Sequence, residues 1–363
     1  MHVNVEAEAL ASAITLAVSP LKSENKILSF SRLSAHDSKL VIETTDSRVY
    51  SEASLPAEVK EPGACLMRTA ALKAATGSCG LVQIKGSGSI IRGRSRYNID
   101  TQTDADVFPR IKDRHWEPLK ISPIDFLNAA MHVFSASDKD DCRPFCRAIN
   151  VRKDFLWASD GYRFARVSTG LDGTKFSLPA TFIPVLKSRI QQMTHLSLGY
   201  NNIHNSANFF RASGPSCALT TYLIEDSHAD MDIDHLIPVP GEASAKIRID
   251  CKAMCNTLMR SKVLTNDLKG ICILTLQLQA EKVTLSNHEN SYTECLVENR
   301  AVIDHQGEIL VAFNCHLFLD IVRSITTDHA DVYLYDGQGR PLLILPTDKT
   351  PEKVTHVLAS CTL

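Results

Sequence analysis

Apolar residues recur with helical spacing at three places along the chain, each time directly after a short strand pattern. The first stripe, over residues 6–18, places Leu10 and Ile14 at i and i+4, which predicts an amphipathic helix. A second stripe follows Ser122-Pro123 and a third follows Asp250. Ser and Asp are favoured N-cap residues, and Pro suits the first helical position. Because the three helix starts lie about one domain length apart, the pattern indicates an internal repeat.

A second helix is predicted within each repeat, and alternating strand patterns with turn residues separate the helices. The second helices are expected over Leu66–Ala75, Thr181–Met193 and Asn314–Ile325. Hairpins are expected where Leu81–Lys85 meets Ile90–Arg92 and where Val332–Tyr335 meets Leu342–Leu345. The sequence therefore predicts three similar units, each with two helices and several strands. Candidate linkers between the units are Asp113–Pro118 and Pro238–Ala243.

The clearest single turn signal lies in the middle of the chain. Residues 156–168 read Leu-Trp-Ala-Ser-Asp-Gly-Tyr-Arg-Phe-Ala-Arg-Val-Ser, with apolar residues on both sides of Asp160-Gly161. Asp-Gly between two apolar runs predicts a tight hairpin, because Gly adopts positive φ without steric cost. Tyr162, Arg163 and Phe164 then leave the turn as an aromatic and basic group.

Composition restricts the class of protein. The chain has 363 residues, 44% of them hydrophobic, which is enough for real cores. No apolar run reaches the ~18 residues of a membrane span, and the first residues lack the pattern of a signal peptide, so the expected location is the cytoplasm. The 11 cysteines are irregularly spaced, which argues against a disulfide framework. The formal net charge of −2 permits nucleic-acid binding only where basic residues collect on one face.

Several segments resemble the bacterial sliding clamp, the beta subunit of DNA polymerase III. The hairpin segment is similar to the clamp signature Ala-Thr-Asp-Gly-His-Arg-Leu-Ala, with Ser159 in place of Thr and Tyr162 in place of His. Gly93–Thr101, followed by Phe108-Pro109, resembles the Gly-Arg-Ser-Arg-Phe strand and the closing Phe-Pro of the clamp's first domain. Phe313-Asn314 resembles the start of its final helix. The matches run in family order over the whole chain.

The resemblance implies an α+β fold of three tandem clamp domains, each with two helices packed on antiparallel sheets. The implied boundaries are 1–116, 117–242 and 243–363. Two subunits would join head to tail into a ring around duplex DNA, with helices lining the hole. The protein would be a processivity factor without a catalytic site or cofactor. It would tether the DNA polymerase III alpha subunit, the clamp loader and other proteins that carry clamp-binding motifs.

The resemblance also implies three sets of functional residues. The pocket for partner peptides would comprise Cys146, Ser159, Gly161, Tyr162, Arg163, Phe164, Met231, His235, Leu236, Leu268, Asn314, Leu317, Val357, Ala359, Ser360 and Cys361. Cations on or beside the six helices would hold DNA of any sequence: Lys22, Arg68, Lys73, Lys187, Arg189, Lys252, Arg260, Lys262 and Arg323. The subunits would meet through Arg94, Arg96, Tyr97, Ile99, Val263, Leu264, Glu289 and Glu294, with Tyr97 and Ile99 giving apolar contact.

The sequence also departs from the family. Met231, Leu268 and Leu317 replace a Pro and two aromatic residues of the pocket, and Ala359 is a smaller neighbour, so the chain resembles a divergent clamp whose peptide preference is altered. An alternative interpretation is a nucleic-acid-processing enzyme. The acidic stretch Glu225–Asp234 would then bind a divalent metal through its carboxylates.

Overall fold

The computed structural model describes residues 1–17, 26–77, 79–102, 104–111, 114–171, 173–200, 207–225, 232–265, 271–277, 282–287, 293–295, 308–335, 339–347 and 353–361. The helices within these residues are α1 (Ala7–Ala17), α2 (Thr69–Thr76), α3 (Pro123–Phe134), α4 (Phe182–Arg189), α5 (Cys251–Thr265) and α6 (Cys315–Ser324). None of the helices in this part of the chain is long and apolar enough to cross a membrane.

Strands make up most of the remaining structure. The first half of the chain contains β1 (His2–Glu6), β2 (Phe30–His36), β3 (Lys39–Thr45), β4 (Val49–Pro56), β5 (Glu58–Glu61), β6 (Gly63–Arg68), β7 (Leu81–Lys85), β8 (Ser89–Arg92), β9 (Ser95–Asn98), β10 (Thr101–Gln102), β11 (His115–Pro118), β12 (Ala148–Lys153), β13 (Phe155–Ser159), β14 (Arg163–Ser168) and β15 (Thr174–Pro179). The second half contains β16 (His195–Tyr200), β17 (Ala207–Ser213), β18 (Cys217–Tyr222), β19 (Ala245–Asp250), β20 (Ile271–Gln277), β21 (Lys282–Asn287), β22 (Thr293–Cys295), β23 (Glu308–Asn314), β24 (His329–Leu334), β25 (Leu342–Pro346), β26 (Val354–Leu358) and β27 (Ser360–Cys361).

The chain divides into two compact units. The first comprises residues 1–127 and 181–223, and the second comprises residues 128–180 and 224–363. The first unit contains a five-stranded sheet, β5-β1-β7-β8-β9, and a nine-stranded sheet, β10-β6-β2-β3-β4-β18-β17-β16-β11. The second contains an eight-stranded sheet, β15-β12-β13-β14-β26-β25-β24-β19, and a five-stranded sheet, β22-β21-β20-β23-β27.

Two strand pairs explain why the units differ from the three predicted domains. In the first unit β4 pairs with β18, and in the second β14 pairs with β26, so each large sheet runs across a predicted domain boundary. The strands of the segment 117–242 are thereby shared between the two units. The boundaries at 116 and 242 remain a prediction from the resemblance.

The predicted amphipathic faces form the cores. Leu10 and Ile14 of α1 are fully buried in the first unit. In the second unit, Met254 and Leu258 of α5 and Phe318 of α6 belong to one buried cluster. The apolar stripes therefore face inward, as their spacing predicts.

Two predictions about elements are wrong. The helix expected from Leu66 begins at Thr69, because Leu66 lies in β6, whose backbone pairs with β2. The linker expected over Asp113–Pro118 contains β11, which pairs with β16 at the edge of the nine-stranded sheet. An edge strand can carry polar residues as a linker does, because one side of it meets solvent.

Candidate functional site

The hairpin at residues 155–168 has the predicted form. β13 and β14 pair antiparallel, with Phe155 opposite Ser168 at the open end and Ser159 opposite Phe164 beside the turn. Asp160 is buried, and its carboxylate accepts hydrogen bonds from the backbone N–H groups of Tyr162 and Arg163, both at 2.9 Å. Gly161 has a φ of +87°, which favours glycine. The Asp-Gly pair thus closes the turn as the sequence indicates.

Arg163 connects this turn to helix α6. Its Nε donates to Asp160 at 2.8 Å and its Nη1 donates to Asp320 at 2.9 Å. The Arg163 and Asp160 side chains are about nine-tenths buried, whereas Asp320 is nearly half-exposed. Charge-assisted hydrogen bonds are stronger than neutral ones, so these contacts to two different carboxylates fix the turn against α6.

The predicted pocket residues from distant parts of the sequence meet beside this turn. Phe164 lies opposite Val357 in the β14–β26 pair, and the backbone N–H of Ala359 donates to the carbonyl oxygen of Tyr162 at 2.7 Å. Phe164 and Val357 belong to one apolar cluster, against which Leu236 packs. A strip of apolar surface therefore has its buried base where β14 and β26 pair in the eight-stranded sheet.

Helix α6 borders the same strip. Asn314 is its N-cap residue, and its side chain accepts from the backbone N–H groups of His316 at 2.9 Å and Leu317 at 3.3 Å. Leu317, the third residue of the helix, is half-buried against the second unit's core. Ser360 and Cys361 form β27, which pairs with β23 just before Asn314. This strand pairing places Ser360 and Cys361 opposite the two residues that directly precede Asn314.

The prediction for Cys146 as a wall of the pocket is wrong. Cys146 is fully buried, and burial raises the pKa of its thiol to about 11. Its side chain therefore packs beneath the surface, where a bound peptide would not reach it.

Other predicted pocket residues have varied environments. Tyr162 is 67% exposed, and His235 is exposed as well. Ser159 supports the turn, since its hydroxyl donates to the Arg163 carbonyl at 2.9 Å. Met231 and Leu268 lie outside the described residues.

The structure adds Arg143 to this surface. Its Nη2 donates to the carbonyl oxygen of Asp160 at 2.9 Å, and its guanidinium forms two hydrogen bonds to Asp141. These bonds hold the pKa of Asp141 at about 2. A Cβ on Gly161 would lie 2.9 Å from the Arg143 guanidinium, so the two residues are in close contact. Sequence analysis missed Arg143 because its contact depends on the turn conformation.

The predicted DNA-binding cations occur mainly at helix ends. Lys73, Lys262 and Arg323 lie in the last turns of α2, α5 and α6, and Lys187 and Arg189 lie in the last turn of α4. Cations at these positions also offset the partial negative charge of a helix C-terminus. Lys73, Lys187 and Arg323 are exposed.

The remaining cations of this set have varied environments. Lys252 and Arg260 are exposed on α5. Arg68 is the residue directly before α2, so it flanks the helix instead of belonging to it. Its guanidinium lies 3.8 Å from the carboxylate of Asp100. Arg189 is half-buried, and burial lowers the pKa of its guanidinium. Lys22 lies outside the described residues.

The predicted subunit interface involves two sheet edges. β9, with Arg96 exposed and Tyr97 half-buried, is the last strand of one five-stranded sheet, and β22, with Glu294, is the last strand of the other. Arg94 lies in the turn before β9, and Val263 on α5 is 74% exposed. Glu289 lies outside the described residues, as does the side chain of Leu264.

The prediction for Ile99 is wrong. Its side chain is 8% exposed, and its backbone N–H donates to the Gly88 carbonyl at 2.8 Å. The strand ends at Asn98, and the chain then turns inward, so Ile99 packs within its own unit and cannot supply apolar contact to another subunit.

The structure does not favour a metal site in the acidic stretch. Asp234 forms an ion pair with Arg166 at 2.5 Å, and Glu225 and Asp232 are exposed. Within the described ranges, no group of three or more His, Cys, Asp or Glu side chains could hold a metal ion. Residues 226–231 of the stretch lie outside these ranges.

Comparison with solved structures defines the class of fold. The chain superposes over the whole length of both chains on Caulobacter crescentus pol III beta, with a TM-score of 0.86 and 19% identity. The DNA polymerase III subunit beta of Pseudomonas aeruginosa gives 0.85 and 18%, and the beta subunit from Streptococcus pyogenes DNA polymerase gives 0.83 and 15%, again over all of both chains. The chain therefore has the fold of the bacterial DNA polymerase sliding clamps, which confirms the predicted fold class.

The sequence comparison agrees with this assignment in the C-terminal part. Residues 237–360 match the family model of the DNA polymerase III beta subunit, C-terminal domain. None of the curated proteins has a sequence that matches the chain. The fold and the domain match together support the resemblance to a divergent beta clamp.

Proposed function

We propose that this protein is a DNA sliding clamp, a processivity factor that encircles duplex DNA and tethers replication proteins. The observation that carries this proposal is the clamp fold over the entire chain, together with the beta-subunit domain match over residues 237–360. The protein holds its partners on DNA and does not itself catalyse a reaction. It functions as a head-to-tail homodimer.

Retention on DNA tests the ring directly. The protein, loaded on a nicked circular plasmid by the clamp loader of its own host with ATP, is expected to co-elute with the plasmid during gel filtration. Cutting the plasmid at one site should release the protein, because a ring slides off a free end. Equal retention on the circular and the linear form would contradict encirclement, and so would retention on neither.

DNA holding is proposed to depend on the exposed helix cations. Phosphate contacts do not read bases, and they weaken steeply with salt. Changing Lys73, Lys187 and Arg323 together to Glu should flatten the slope of log affinity against log salt by about 0.9 for each phosphate that is no longer neutralised. The matched control changes three exposed cations outside the set to Glu: Lys39, Lys60 and Arg340. An equal effect of both triple variants would contradict these assignments.

The surface beside the Asp160-Gly161 turn is proposed to bind partner peptides. Leu236 and Leu317, which are partly buried, provide apolar contacts over a base formed by the buried Phe164 and Val357, and Arg143 and Tyr162 provide polar groups at its edge. This combination suits a short peptide with a Gln followed by apolar and aromatic residues. The polymerase alpha subunit and the clamp loader are the proposed sources of such peptides.

A peptide titration tests this surface. A fluorescently labelled peptide of this pattern should bind the wild type, and Leu317→Ala should weaken binding about tenfold, because buried anchors carry most of the affinity. Leu310→Ala is the control, since Leu310 is 49% exposed on β23 and outside the proposed pocket. Equal binding by both variants would contradict the assignment. Gly161 is unsuitable for this test because any side chain there strains the turn.

A further inference from the structure

A separate cleft lies in the first unit, on one face of the nine-stranded sheet. Its volume is about 230 Å³. Its base is formed by residues of β3, β4, β17 and β18, and it is bordered by Phe108–Ile111, Arg114 and Trp116. Its lining includes Glu43, Tyr50, Glu52, Arg110, Arg114 and Arg211.

Strand register places the base residues on the same face. Glu43 lies opposite Glu52, Tyr50 opposite Thr220, and Thr220 opposite Arg211. Directly paired residues point to the same side of a sheet. The base of the cleft is therefore built by the regular strand pairing of the sheet.

Trp116 forms an aromatic wall at one end. Its strand β11 pairs Trp116 with Gly199, and a Cβ at Gly199 would lie 2.7 Å from the indole ring. The absence of a side chain at this position allows the indole to lie flat on the sheet. Trp116 also packs edge-on against Phe209 at 6.4 Å, so the indole has a defined orientation.

Two arginines lie over these rings. The guanidinium of Arg211 lies 5.4 Å from the centre of the Trp116 ring, and that of Arg114 lies 5.4 Å from the centre of the Phe209 ring. Stacking on aromatic faces holds a guanidinium in place while leaving its N–H groups able to donate. The cleft thus presents preoriented cationic donors beside an apolar surface.

The lining of the cleft contains three arginines and two glutamates. Glu43 pairs with both Arg32 and Arg110, the latter at 2.9 Å. Glu52 lies 3.7 Å from Arg211, too far for a strong hydrogen bond. Arg114 forms no ion pair within the described part of the chain. Arg211 is therefore only loosely paired, and the positive charge of Arg114 is not offset by a carboxylate in this part of the chain.

We propose that this cleft binds an acidic peptide segment of a partner protein, in which a Glu or Asp side chain lies next to an apolar residue. Two arginine forks match the planar carboxylate, and Trp116 with Ile111 would contact the apolar neighbour. The volume is below the ~300–1,000 Å³ of pockets that enclose drug-sized molecules, so it accommodates one or two side chains. Glu52, with its side chain 46% exposed, would repel the repeated phosphates of a nucleic-acid strand.

The position of Trp116 provides a direct assay. The chain has two tryptophans, and Trp157 is only 2% exposed and lies in the other unit. In a Trp157→Phe background, the emission of Trp116 therefore reports on the cleft alone. The probe is the capped peptide Gly-Glu-Leu-Glu-Gly at low salt, and the matched peptide has Gln in place of both Glu residues.

We expect a saturable change in Trp116 emission with the acidic peptide and at least about tenfold weaker binding of the Gln peptide. Arg114→Gln with Arg211→Gln should abolish the response, whereas Lys39→Gln, an exposed cation on the same sheet, should not alter it. Glu52→Gln should tighten binding, because it removes a repelling carboxylate. A damaged fold cannot produce that gain.

Several results would overturn the proposal. These are no saturable response to the acidic peptide, equal responses to both peptides, or a response that persists in the double arginine variant. Tighter binding of oligothymidylate or inorganic phosphate than of the peptide would assign the cleft to those ligands instead. The proposal is independent of the ring, so failure of the plasmid assay would leave it standing.

Discussion

Individual residues at the candidate peptide surface have structural roles. Asp160 and Asn314 accept backbone hydrogen bonds, and Arg163 joins a turn to a helix. Side chains so occupied are fixed in orientation, which favours a preformed binding surface. It also means that changing them affects folding as well as binding, so the two effects need separate measurements.

Replacing Asp160 tests its contribution to stability. Asp160→Ala removes two backbone hydrogen bonds and leaves the buried Arg163 without its nearer carboxylate. We expect a loss of about 3 kcal/mol in the free energy of unfolding, measured by urea titration. Asp328→Ala, at an exposed position, should change it by less than about 0.5 kcal/mol. Similar values for the two variants would contradict the proposed role of Asp160.

His356 in β26 should make stability depend on pH. It is fully buried, neither ring nitrogen has a hydrogen-bond partner among the described groups, and burial, with a smaller effect of His132, lowers its pKa from 6.5 to about 3. Between these values the unfolded chain binds a proton that the folded chain does not. Stability should therefore be complete above pH 6.5 and fall as the pH decreases through this window.

A variant isolates this contribution. His356→Leu should reduce the slope of unfolding free energy against pH, to which His356 contributes at most about 1.4 kcal/mol per pH unit. The variant should be neutral or stabilising at neutral pH, since it removes a buried polar group without a partner. The exposed His329 is the control, and His329→Leu should retain the wild-type slope. An unchanged slope in His356→Leu would refute this prediction.

At the scale of elements, helix starts follow local rules and sheet partners do not. Asn314 caps α6, and Asp250 caps α5 by accepting from the N–H of Ala253 at 2.7 Å. Both caps are visible in the sequence as residue type and position. The β4–β18 and β14–β26 pairs join strands separated by most of a domain or more, and no local signal specifies such partners.

The Asn314 cap should contribute measurable stability. Asn314→Ala is expected to lower the free energy of unfolding by about 1 kcal/mol, because two N–H groups of α6 lose their acceptor. Asn314→Asp should retain most of the stability, since a carboxylate accepts the same bonds and suits a helix N-terminus. Chemical denaturation measures both variants. Equal losses in the two would show that the cap hydrogen bonds are not the cause.

At the scale of the whole molecule, the proposed ring depends on contacts between subunits. Among the described residues, β9 and β22 are each the outermost strand of a sheet, and pairing of sheet edges is a common way for chains to associate. Val263 is the most exposed of the large apolar residues in the described part of the chain. These features support the interface residues implied by the resemblance.

Val263→Glu should separate the subunits. The side chain is 74% exposed within one subunit, so the change should not destabilise the subunit itself, but it would place a charge in an apolar contact. Light scattering over a range of concentrations should show a dimer for the wild type and a monomer for the variant. The control is Leu81→Glu at another exposed apolar position, which should remain dimeric. A dimeric Val263→Glu variant would contradict the assignment.

The sequence by itself determined the helices, the hairpin and the class of fold. Stripes such as Leu10 and Ile14, caps such as Asn314 and the Asp160-Gly161 turn are local signals, because each depends on residues a few positions apart. The resemblance also grouped Phe164 with Val357, and the two buried residues lie opposite each other in the β14–β26 pair.

Only the tertiary structure decided which residues meet. It buried Cys146 and Ile99, placed Arg143 against Gly161 and connected Arg163 to Asp320. It also produced the arginine and tryptophan cleft, whose lining comes from strands as distant in the chain as β3 and β18. Such contacts depend on long-range strand register, and neither composition nor local spacing encodes that register in a form that can be read without the folded chain.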